Sequence, residues 1–388
     1  MNPEQVSPLV VGLNGRFSGT LKPTGTQVTS FHLFDAIIRS ERDFSVAVFA
    51  DEKFPGVASW RTVPRTKFLA VPFSRWRRFV AQMWEQIILP VRARKAGCAV
   101  LHHPMTTCPR WRNGVKQVVT VHDLNFFHHP EWVSRGFRCW LSAVVVPAIR
   151  RADHIATISD YVLADVRRTL GIATEKSSRI YNGLTPLPAV EASPTEKGMA
   201  RVILGINLWQ PHKNLPRLIE AFSQLHREMP AMELHLAGRP QANYRAQPEL
   251  AALLERPGVR VLGYLSEQEL GAAYANADVV CYPSLEEGFG LPVLEAMAAG
   301  APVVTSDASC LPEIAGGAAV LVDPLSVENI AAGIRRVLDE DPAVRASRIT
   351  HGRQVAAKFS WNESAKQYAA IYRKLTADFS APPAKLGA

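Results

Sequence analysis

The sequence lacks the features that define membrane-spanning, disulfide-bonded and metal-binding proteins. No apolar run reaches the roughly 20 residues that a membrane span requires. The five cysteines are odd in number, scattered and never paired as Cys-x-x-Cys, which suits a reducing compartment and argues against a disulfide framework or a zinc ribbon. The eleven histidines show no ligand-type spacing. No basic head precedes the first apolar stretch, so we expect no secretory signal and a cytoplasmic location.

The sequence does contain enough apolar residues to form two hydrophobic cores. The 388 residues are 47% hydrophobic and 20% charged, and short β-branched apolar runs alternate with segments of helical period twice over. Such alternation predicts parallel sheets covered on both faces. We therefore expect an α/β fold with a first domain at 1–185, a Pro- and Ala-rich linker at 186–200, a second domain at 201–358 and a final helix at 359–378.

A short stretch in the second half of the second domain places two acids around a glycine-rich turn. In SLEEGFGLPVLEAMAAGAPVVTS (284–306), Glu287 and Glu295 flank Gly-Phe-Gly-Leu-Pro. Pro292 suits the start of a helix, and Gly300 suits its end. Amide groups at a helix N-terminus attract phosphate, and carboxylates accept pairs of hydroxyl hydrogen bonds. The pattern indicates a site for a sugar nucleotide. The alternative is a strand, a turn and a helix with solvated acids.

The string E-G-F-G-L-P-x-x-E-A-M-A-x-G resembles the donor motif of retaining glycosyltransferases of family 4, which have the GT-B fold. Three more segments are similar to a branch that contains bacterial O-antigen mannosyltransferases: KQVVTVHDLNFFHHPEW (116–132), GINLWQPHKNLPRLIEAF (205–222) and FSWNESAKQYAAIY (359–372). The resemblance implies two Rossmann-like domains facing each other across a deep cleft. The first domain would bind the acceptor, the second would bind the nucleotide sugar, and the final helix would cross back to the first.

The resemblance also implies roles for individual residues. Glu295 would hold the ribose hydroxyls, Glu287 would contact the donor sugar, and Lys213 would neutralise the diphosphate as the leaving group gains charge. Contacts to the phosphates, the anomeric carbon and the base would come from a further set: Gly288, Phe289, Gly290, Leu291, Gly263 and Tyr264. The family's usual arginine beside the lysine is His212 here. Whether Arg217, Arg239 or no residue compensates stays open.

In the first domain the resemblance singles out His122 and the glycine-rich loop at 15–25. His122 would line the cleft beside the transferred sugar, and the loop, including Gly25, would close on the donor or guide the acceptor. A histidine at the end of a buried strand is often a hydrogen-bonded core residue. The surrounding H-D-L-N-F-F favours the site role here.

A strongly basic stretch separates these motifs. Between Ala58 and Lys95 there are nine Lys or Arg residues and one acid, Glu85. Within it, apolar residues recur at helical spacing: Trp76, Phe79, Val80, Met83, Trp84, Ile87, Ile88 and Val91. Two compatible interpretations stay open. The apolar face packs on the sheet of the first domain, or the basic edge, with Arg75, Arg77 and Arg78, meets anionic lipid or a polyprenyl-diphosphate acceptor.

These observations predict a retaining hexosyltransferase that moves mannose from GDP-mannose to a lipid-linked or growing saccharide in bacterial surface polysaccharide synthesis. A UDP-glucose-dependent glucosyltransferase is the alternative. A non-catalytic nucleotide or nucleic-acid binder and a glycan-binding relic are weaker alternatives. A nicotinamide-dependent dehydrogenase is disfavoured, because this sequence has no compact G-x-G-x-x-G after its first strand. Neither motif contains a D-x-D-like pair, so we expect no cofactor and no obligatory metal. We also expect no nucleic-acid partner and a possible peripheral contact with the cell membrane.

Overall fold

A computed structural model describes residues 9–20, 24–40, 42–75, 78–111, 113–130, 134–188, 201–240, 242–245 and 247–377. The chain forms two compact units. Unit 1 combines the chain up to Gly183 with the segment from Ser360 onward, and unit 2 is the continuous segment Leu184–Phe359. Most of the expected linker, 189–200, lies outside the described residues.

Unit 1 contains one parallel sheet. Its strands are β1 (Val10–Gly15), β2 (Ser45–Ala50), β3 (Thr66–Ala70), β4 (Val100–His103), β5 (Lys116–Val121), β6 (His154–Thr157) and β7 (Ser177–Arg179). They lie in the order β3-β2-β1-β4-β5-β6-β7. The chain builds outward from β1 on one side and then crosses to β4 on the other. The topological switch point of this sheet is therefore between β1 and β4, and ligands of open α/β sheets bind beyond the carboxyl ends of the strands at such points.

Unit 2 repeats this plan with six parallel strands. They are β8 (Val202–Ile206), β9 (Glu233–Ala237), β10 (Val259–Gly263), β11 (Val279–Tyr282), β12 (Val303–Ser306) and β13 (Val320–Val322). Their order is β10-β9-β8-β11-β12-β13, which puts the second switch point between β8 and β11. The expectation of two Rossmann-like α/β domains is confirmed.

Helices connect the strands. They are α1 (Gly25–Arg39), α2 (Arg78–Lys95), α3 (Asn125–His128), α4 (Arg135–Trp140), α5 (Val146–Arg151), α6 (Asp160–Leu170), α7 (Leu215–Glu228), α8 (Ala242–Arg245), α9 (Pro248–Leu254), α10 (Glu267–Asn276), α11 (Leu291–Ala299), α12 (Leu311–Ala315), α13 (Val327–Leu338), α14 (Pro342–Ala356) and α15 (Trp361–Thr376). A π-helical turn, Leu141–Val145, joins α4 to α5. Ser159 is the N-cap of α6, because its Oγ accepts a hydrogen bond of 3.2 Å from the Val162 amide.

The final helix α15 is part of unit 1. Tyr368 and Tyr372 are fully buried in its core beside α1. The Tyr372 hydroxyl lies 2.6 Å from His102 Nδ1, and the Tyr368 hydroxyl lies 2.6 Å from Thr120 Oγ1. Since His102 and Thr120 belong to β4 and β5, the chain's last helix is bonded to the centre of its first sheet.

Helix α2 differs from the packed core helix that its apolar spacing allowed. Trp84 is buried, but six other apolar side chains are exposed: Phe79, Val80, Met83, Ile87, Ile88 and Val91. The buried face carries Ala81, Trp84, Leu89 and Ala93 together with the acid Glu85. The interpretation of the apolar stripe as a core face is therefore wrong for these six residues and right for Trp84, while Trp76 lies outside the described residues. Within the described part of the chain, no helix combines the length and apolarity needed to cross a bilayer.

Candidate active site

The two strands at the switch point of unit 2 deliver a lysine and a carboxylate to the same place. After β8, a 3₁₀ turn (Pro211–Lys213) ends in Lys213, and after β11 the loop reaches Glu287. Lys213 Nζ bonds Glu287 Oε1 and lies 2.7 Å from the Tyr282 hydroxyl. The predicted residues Lys213 and Glu287 therefore meet where the topology favours a ligand.

The Glu287 carboxylate is held by neutral donors as well as by the lysine. Its Oε1 accepts hydrogen bonds of 2.8 Å from Tyr282 Oη and from Ser284 Oγ. Its backbone amide donates to Ser309 Oγ at 3.2 Å, and Ser309 has an uncommon positive φ of 55°. Burial opposes ionisation of Glu287, but Lys213 outweighs this effect, so the pKa of the carboxyl lies below its usual value.

The turn between the two motif acids is shaped by Gly290. It has φ +85° and is the N-cap of α11, and a Cβ on it would lie 2.6 Å from Leu311 Cδ2. Pro292 stands in the first turn and Gly300, with φ +85°, ends the helix, as predicted. Phe289 is buried, with its ring 5.7 Å from that of Phe359. Because this side chain belongs to the core, only its backbone is placed to face a ligand.

Glu295, one turn into α11, has a different environment. It is half-buried and accepts a hydrogen bond of 2.9 Å from Tyr274 Oη. Burial raises the pKa of its carboxyl to about 7. Together with Arg353, Glu295 lines a cavity of about 290 Å³, which α10, α11 and residues 184–188 enclose. This acid is therefore next to an enclosed space of unit 2, whereas Glu287 is tied to Lys213.

Gly263 ends β10 and Tyr264 follows it, at the same edge of the sheet. Gly263 has φ +74°, and a Cβ on it would meet no atom within 4 Å. Tyr264 is 67% exposed, and the Arg239 guanidinium lies 4.4 Å from its ring centre. Arg217 donates to Asn214 Oδ1 at 3.0 Å. Both arginines that were considered as partners of Lys213 thus have other contacts, and His212 is the adjacent basic residue.

In unit 1, His122 follows β5 and is 7% exposed. Its amide donates to Thr106 Oγ1 at 3.2 Å, and Nε2 lies 2.7 Å from the Pro104 carbonyl oxygen. Because a carbonyl only accepts, Nε2 carries the proton and Nδ1 is the acceptor nitrogen of the neutral ring. Burial lowers the pKa of His122, which favours this neutral form.

The other site residues predicted in unit 1 are either exposed or outside the described part of the structure. Gly25 is the exposed first residue of α1, and a Cβ on it would meet no atom within 4 Å. Arg77 lies outside the described residues, as does part of the glycine-rich loop, and the side chains of Arg75 and Arg78 are not described.

Sequence reasoning missed four side chains that complete the site: Tyr274, Tyr282, Ser284 and Ser309. Tyr282 and Ser284 stand immediately before the motif, so polar residues at the end of β11 were the available signal. Tyr274 and Ser309 come from other segments of the chain, and no local sequence pattern pointed to them. Among the residues that the structure describes, no group of three His, Cys, Asp or Glu side chains is arranged to hold a metal ion.

Comparison with known proteins identifies the class to which this site belongs. Residues 189–355 match the family model for glycosyl transferases group 1, and residues 23–186 match that for glycosyltransferase family 4. The O-antigen chain mannosyltransferase B of Escherichia coli is 31% identical over 276 residues, which cover 67% of this chain and 71% of that protein. The chain therefore belongs to the family 4 glycosyltransferases.

Solved structures show the same fold. Sucrose-phosphate synthase from Thermosynechococcus elongatus has a TM-score of 0.75 at 20% identity, covering 95% of this chain and 100% of that one. HepE of Anabaena, solved with UDP and glucose, has a TM-score of 0.68 at 18% identity, covering 94% and 100%. The expected GT-B type of α/β architecture is confirmed, and the protein is a glycosyltransferase.

Proposed function

We propose that this glycosyltransferase moves mannose from GDP-mannose to a lipid-linked or growing saccharide of a bacterial surface polysaccharide, with retention of configuration. The observation that carries the proposal is the Lys213–Glu287 pair beside the N-terminus of α11 at the switch point of unit 2. The choice of sugar rests on the similarity to the O-antigen mannosyltransferase of E. coli. Donor and acceptor identity are the parts that experiment must test.

Each residue of the unit 2 site has a chemical role in the proposal. The amides of the turn 288–291 and the Lys213 ammonium receive the diphosphate, which gains negative charge as it departs. Glu287 accepts hydrogen bonds from the hexose hydroxyls, and Glu295 accepts them from the ribose hydroxyls. Gly263 and Tyr264 offer backbone groups to the base, and the bare surroundings of Gly263 leave space for it.

The transfer itself takes place on one face of the sugar. The bond from the anomeric carbon to the phosphate oxygen breaks, and the acceptor oxygen bonds the same face while its proton passes to the departing phosphate. His122 Nδ1 accepts a hydrogen bond from a hydroxyl of the transferred hexose. This front-face route follows the family resemblance, and in it the protein supplies orientation and charge stabilisation, with no obligatory metal.

A panel of sugar nucleotides tests the proposal. We expect hydrolysis of GDP-mannose to exceed that of UDP-glucose and other donors, to persist in excess EDTA, and to give first an α-configured sugar by NMR. Preference for UDP-glucose would replace the mannosyl assignment with the glucosyl alternative. Stabilisation by NAD or RNA alone, with no donor hydrolysed, would contradict the enzymatic function.

The acceptor side of the proposal rests on the outer face of α2. Six exposed apolar side chains cover about three and a half turns, from Phe79 at 67% exposure to Val91 at 38%. Exposed Arg92, Arg94 and Lys95 follow at its end, and Trp111 on the adjoining loop is 54% exposed. An apolar face with a cationic border fits an anionic lipid surface, on which a lipid-linked acceptor would be carried.

Vesicle binding tests this contact. We expect the protein to sediment with vesicles of phosphatidylglycerol and phosphatidylcholine, and the double substitution Met83→Ser and Ile87→Ser to reduce the bound fraction. Leu325→Ser, which removes a similarly exposed apolar residue from unit 2, is the control. Replacing Arg75, Arg77 and Arg78 by Ser tests the basic edge. Equal sedimentation of all variants would contradict the membrane contact.

A further inference from the structure

The buried face of α2 contains a charge that the proposed chemistry does not use. Glu85 is fully buried, in the middle of a helix that leaves six apolar residues exposed. Burying a carboxylate costs several kcal/mol unless it is paired and hydrogen-bonded, and an apolar residue at the same place is often equally stable or more so. General stability is therefore a weak explanation for an acid at this position.

Four polar side chains surround the Glu85 carboxylate. Asn14 Nδ2 donates to Oε1 at 2.6 Å, and Arg16 Nε lies 3.1 Å from Oε2. Thr107 Oγ1 lies 3.2 and 3.1 Å from the two carboxylate oxygens, and His103 Nδ1 lies 3.8 Å from Oε1. Burial opposes ionisation, but Arg16, His103 and Asn14 outweigh it and lower the pKa of Glu85 to about 2. These neighbours therefore favour the ionised form of the acid.

These partners come from the switch point of the unit 1 sheet. Asn14 and Arg16 stand where β1 ends, and His103 and Thr107 stand where β4 ends. Strands β1 and β4 are the pair between which the strand order reverses. The Arg16–Glu85 pair thus lies at the switch point of unit 1, as the Lys213–Glu287 pair does in unit 2, although Glu85 comes from a helix and Glu287 from a loop.

The loop after β4 connects this cluster to His122. Thr107, at one end of the loop, is bonded to Glu85 and accepts a hydrogen bond of 2.7 Å from Arg16 Nη2. Pro104 and Thr106, in the same loop, accept hydrogen bonds from the ring and the amide of His122. One buried carboxylate therefore holds the ends of β1 and β4 directly, and through their loop it supports the side chain that follows β5.

We propose that Glu85 is a positioning residue for sugar transfer, which fixes Arg16 and, through residues 104–107, His122 at the carboxyl edge of the unit 1 sheet. Arg16 is 15% exposed, its Nε lies beside Glu85 and its Nη2 donates to Thr107, which leaves Nη1 as the nitrogen for a further acceptor. Glu85 presents this nitrogen as a fixed donor to a substrate oxygen. The inference rests on the proposed glycosyl transfer.

The test uses the full chain and the sugar nucleotide that the donor panel identifies. Glu85→Gln keeps the shape of the side chain and removes its charge, so it loosens Arg16 and the loop. Because displacement of about 1 Å can cost about 100-fold in rate, we expect kcat for donor hydrolysis to fall about 10- to 100-fold. The Kd for the free nucleoside diphosphate should not change, because its proposed site is in unit 2.

Two further variants separate positioning from stability. Asp153→Asn removes a carboxylate that bonds Lys116 at the opposite, amino edge of the same sheet, and should leave kcat unchanged. Arg16→Lys keeps a cation beside Glu85 but loses the planar fork. It should lower kcat without a matching fall in Tm, and the double variant with Glu85→Gln should be no slower than the slower single variant.

The possible failures are distinguishable. Unchanged kcat in Glu85→Gln, an equal loss in Asp153→Asn, or fully additive losses in the double variant would overturn the positioning role and leave the proposed function standing. A wild-type chain that hydrolyses no sugar nucleotide would overturn both.

Discussion

Two carboxylates of one motif have opposite electrostatic environments. Glu287 faces the Lys213 ammonium, which holds its carboxyl pKa down against the effect of burial. Glu295 bonds the neutral phenol of Tyr274, and burial raises its carboxyl pKa to about 7. The same residue type thus serves as a permanent anion at one position and as an acid that titrates near neutrality at the other.

Glu295→Gln should change how stability depends on pH. A carboxyl whose pKa rises from 4.5 to about 7 on folding binds its proton more tightly in the native state, so wild-type stability falls as pH increases through this window. The loss amounts to about 2–3 kcal/mol after allowance for solvent screening. We expect the variant to have a higher Tm than the wild type at pH 8 and an equal Tm near pH 5. Equal values at pH 8, or the same shift in the exposed control Glu267→Gln, would contradict this.

Glu287→Gln should separate nucleotide binding from turnover. The change removes the counter-charge of Lys213 and the acceptor for the sugar hydroxyls, but leaves the diphosphate contacts. We expect a loss of kcat of at least about 100-fold, as for other charge-stabilising groups, with GDP affinity by calorimetry unchanged or higher. Glu286→Gln alters the neighbouring acid and is the matched control. Parallel losses of affinity and kcat would argue that Glu287 is structural.

At the scale of secondary-structure elements, the start of α11 requires a left-handed backbone conformation at Gly290, which residues with a Cβ atom disfavour. Gly290 and Gly263 both have positive φ, of 85° and 74°. They differ in surroundings, since a Cβ would collide with Leu311 at Gly290 and meet no atom at Gly263. This pair therefore separates the conformational cost of a left-handed residue from the steric cost.

Gly290→Ala should destabilise the protein more than Gly263→Ala. The left-handed conformation costs an alanine about 1–2 kcal/mol in both variants. The clash with Leu311 adds about 1–3 kcal/mol at position 290 alone, as for other overpacked sites. Urea unfolding of the two variants measures the difference. Equal loss of stability would mean that Leu311 moves aside without cost.

The sequence predicted elements better than it predicted their surroundings. Strand–helix alternation and the proline and glycine that bound α11 are local features, and the structure has them. The stripe on α2 was correctly assigned to a helix but not to solvent, because spacing shows that apolar residues share a face and not what that face contacts. The four polar partners of Glu85 lie 18 to 71 positions from it along the chain, and no local pattern brings them together.

At the scale of the whole molecule, unit 1 depends on both ends of the chain. Its sheet comes from residues before Gly183, while Tyr368 and Tyr372 fill its core from the final helix. Unit 2 is continuous. The consequences of shortening the chain therefore differ between the two units.

A chain that ends at Phe359 should lose the fold of unit 1 and keep that of unit 2. Loss of one buried aromatic side chain costs about 3–5 kcal/mol, so two approach the whole stability of a domain. We expect amides before Gly183 to exchange rapidly with deuterium while those of Leu184–Phe359 stay protected. A chain that ends at Thr376 keeps α15 and should exchange like the full protein. Protection of unit 1 in the shorter chain would refute its dependence on α15.

Because unit 1 combines an early and a late segment of the chain, the ribosome completes unit 2 before it completes unit 1. Residues that leave the exit tunnel first must wait for the last helix to emerge, and all of unit 2 is translated in between. At about 5–20 residues per second this delay is roughly 10 to 35 s. During that interval the nascent amino-terminal half lacks the tyrosines that close its core, so chaperone contacts should concentrate there although it is synthesised first.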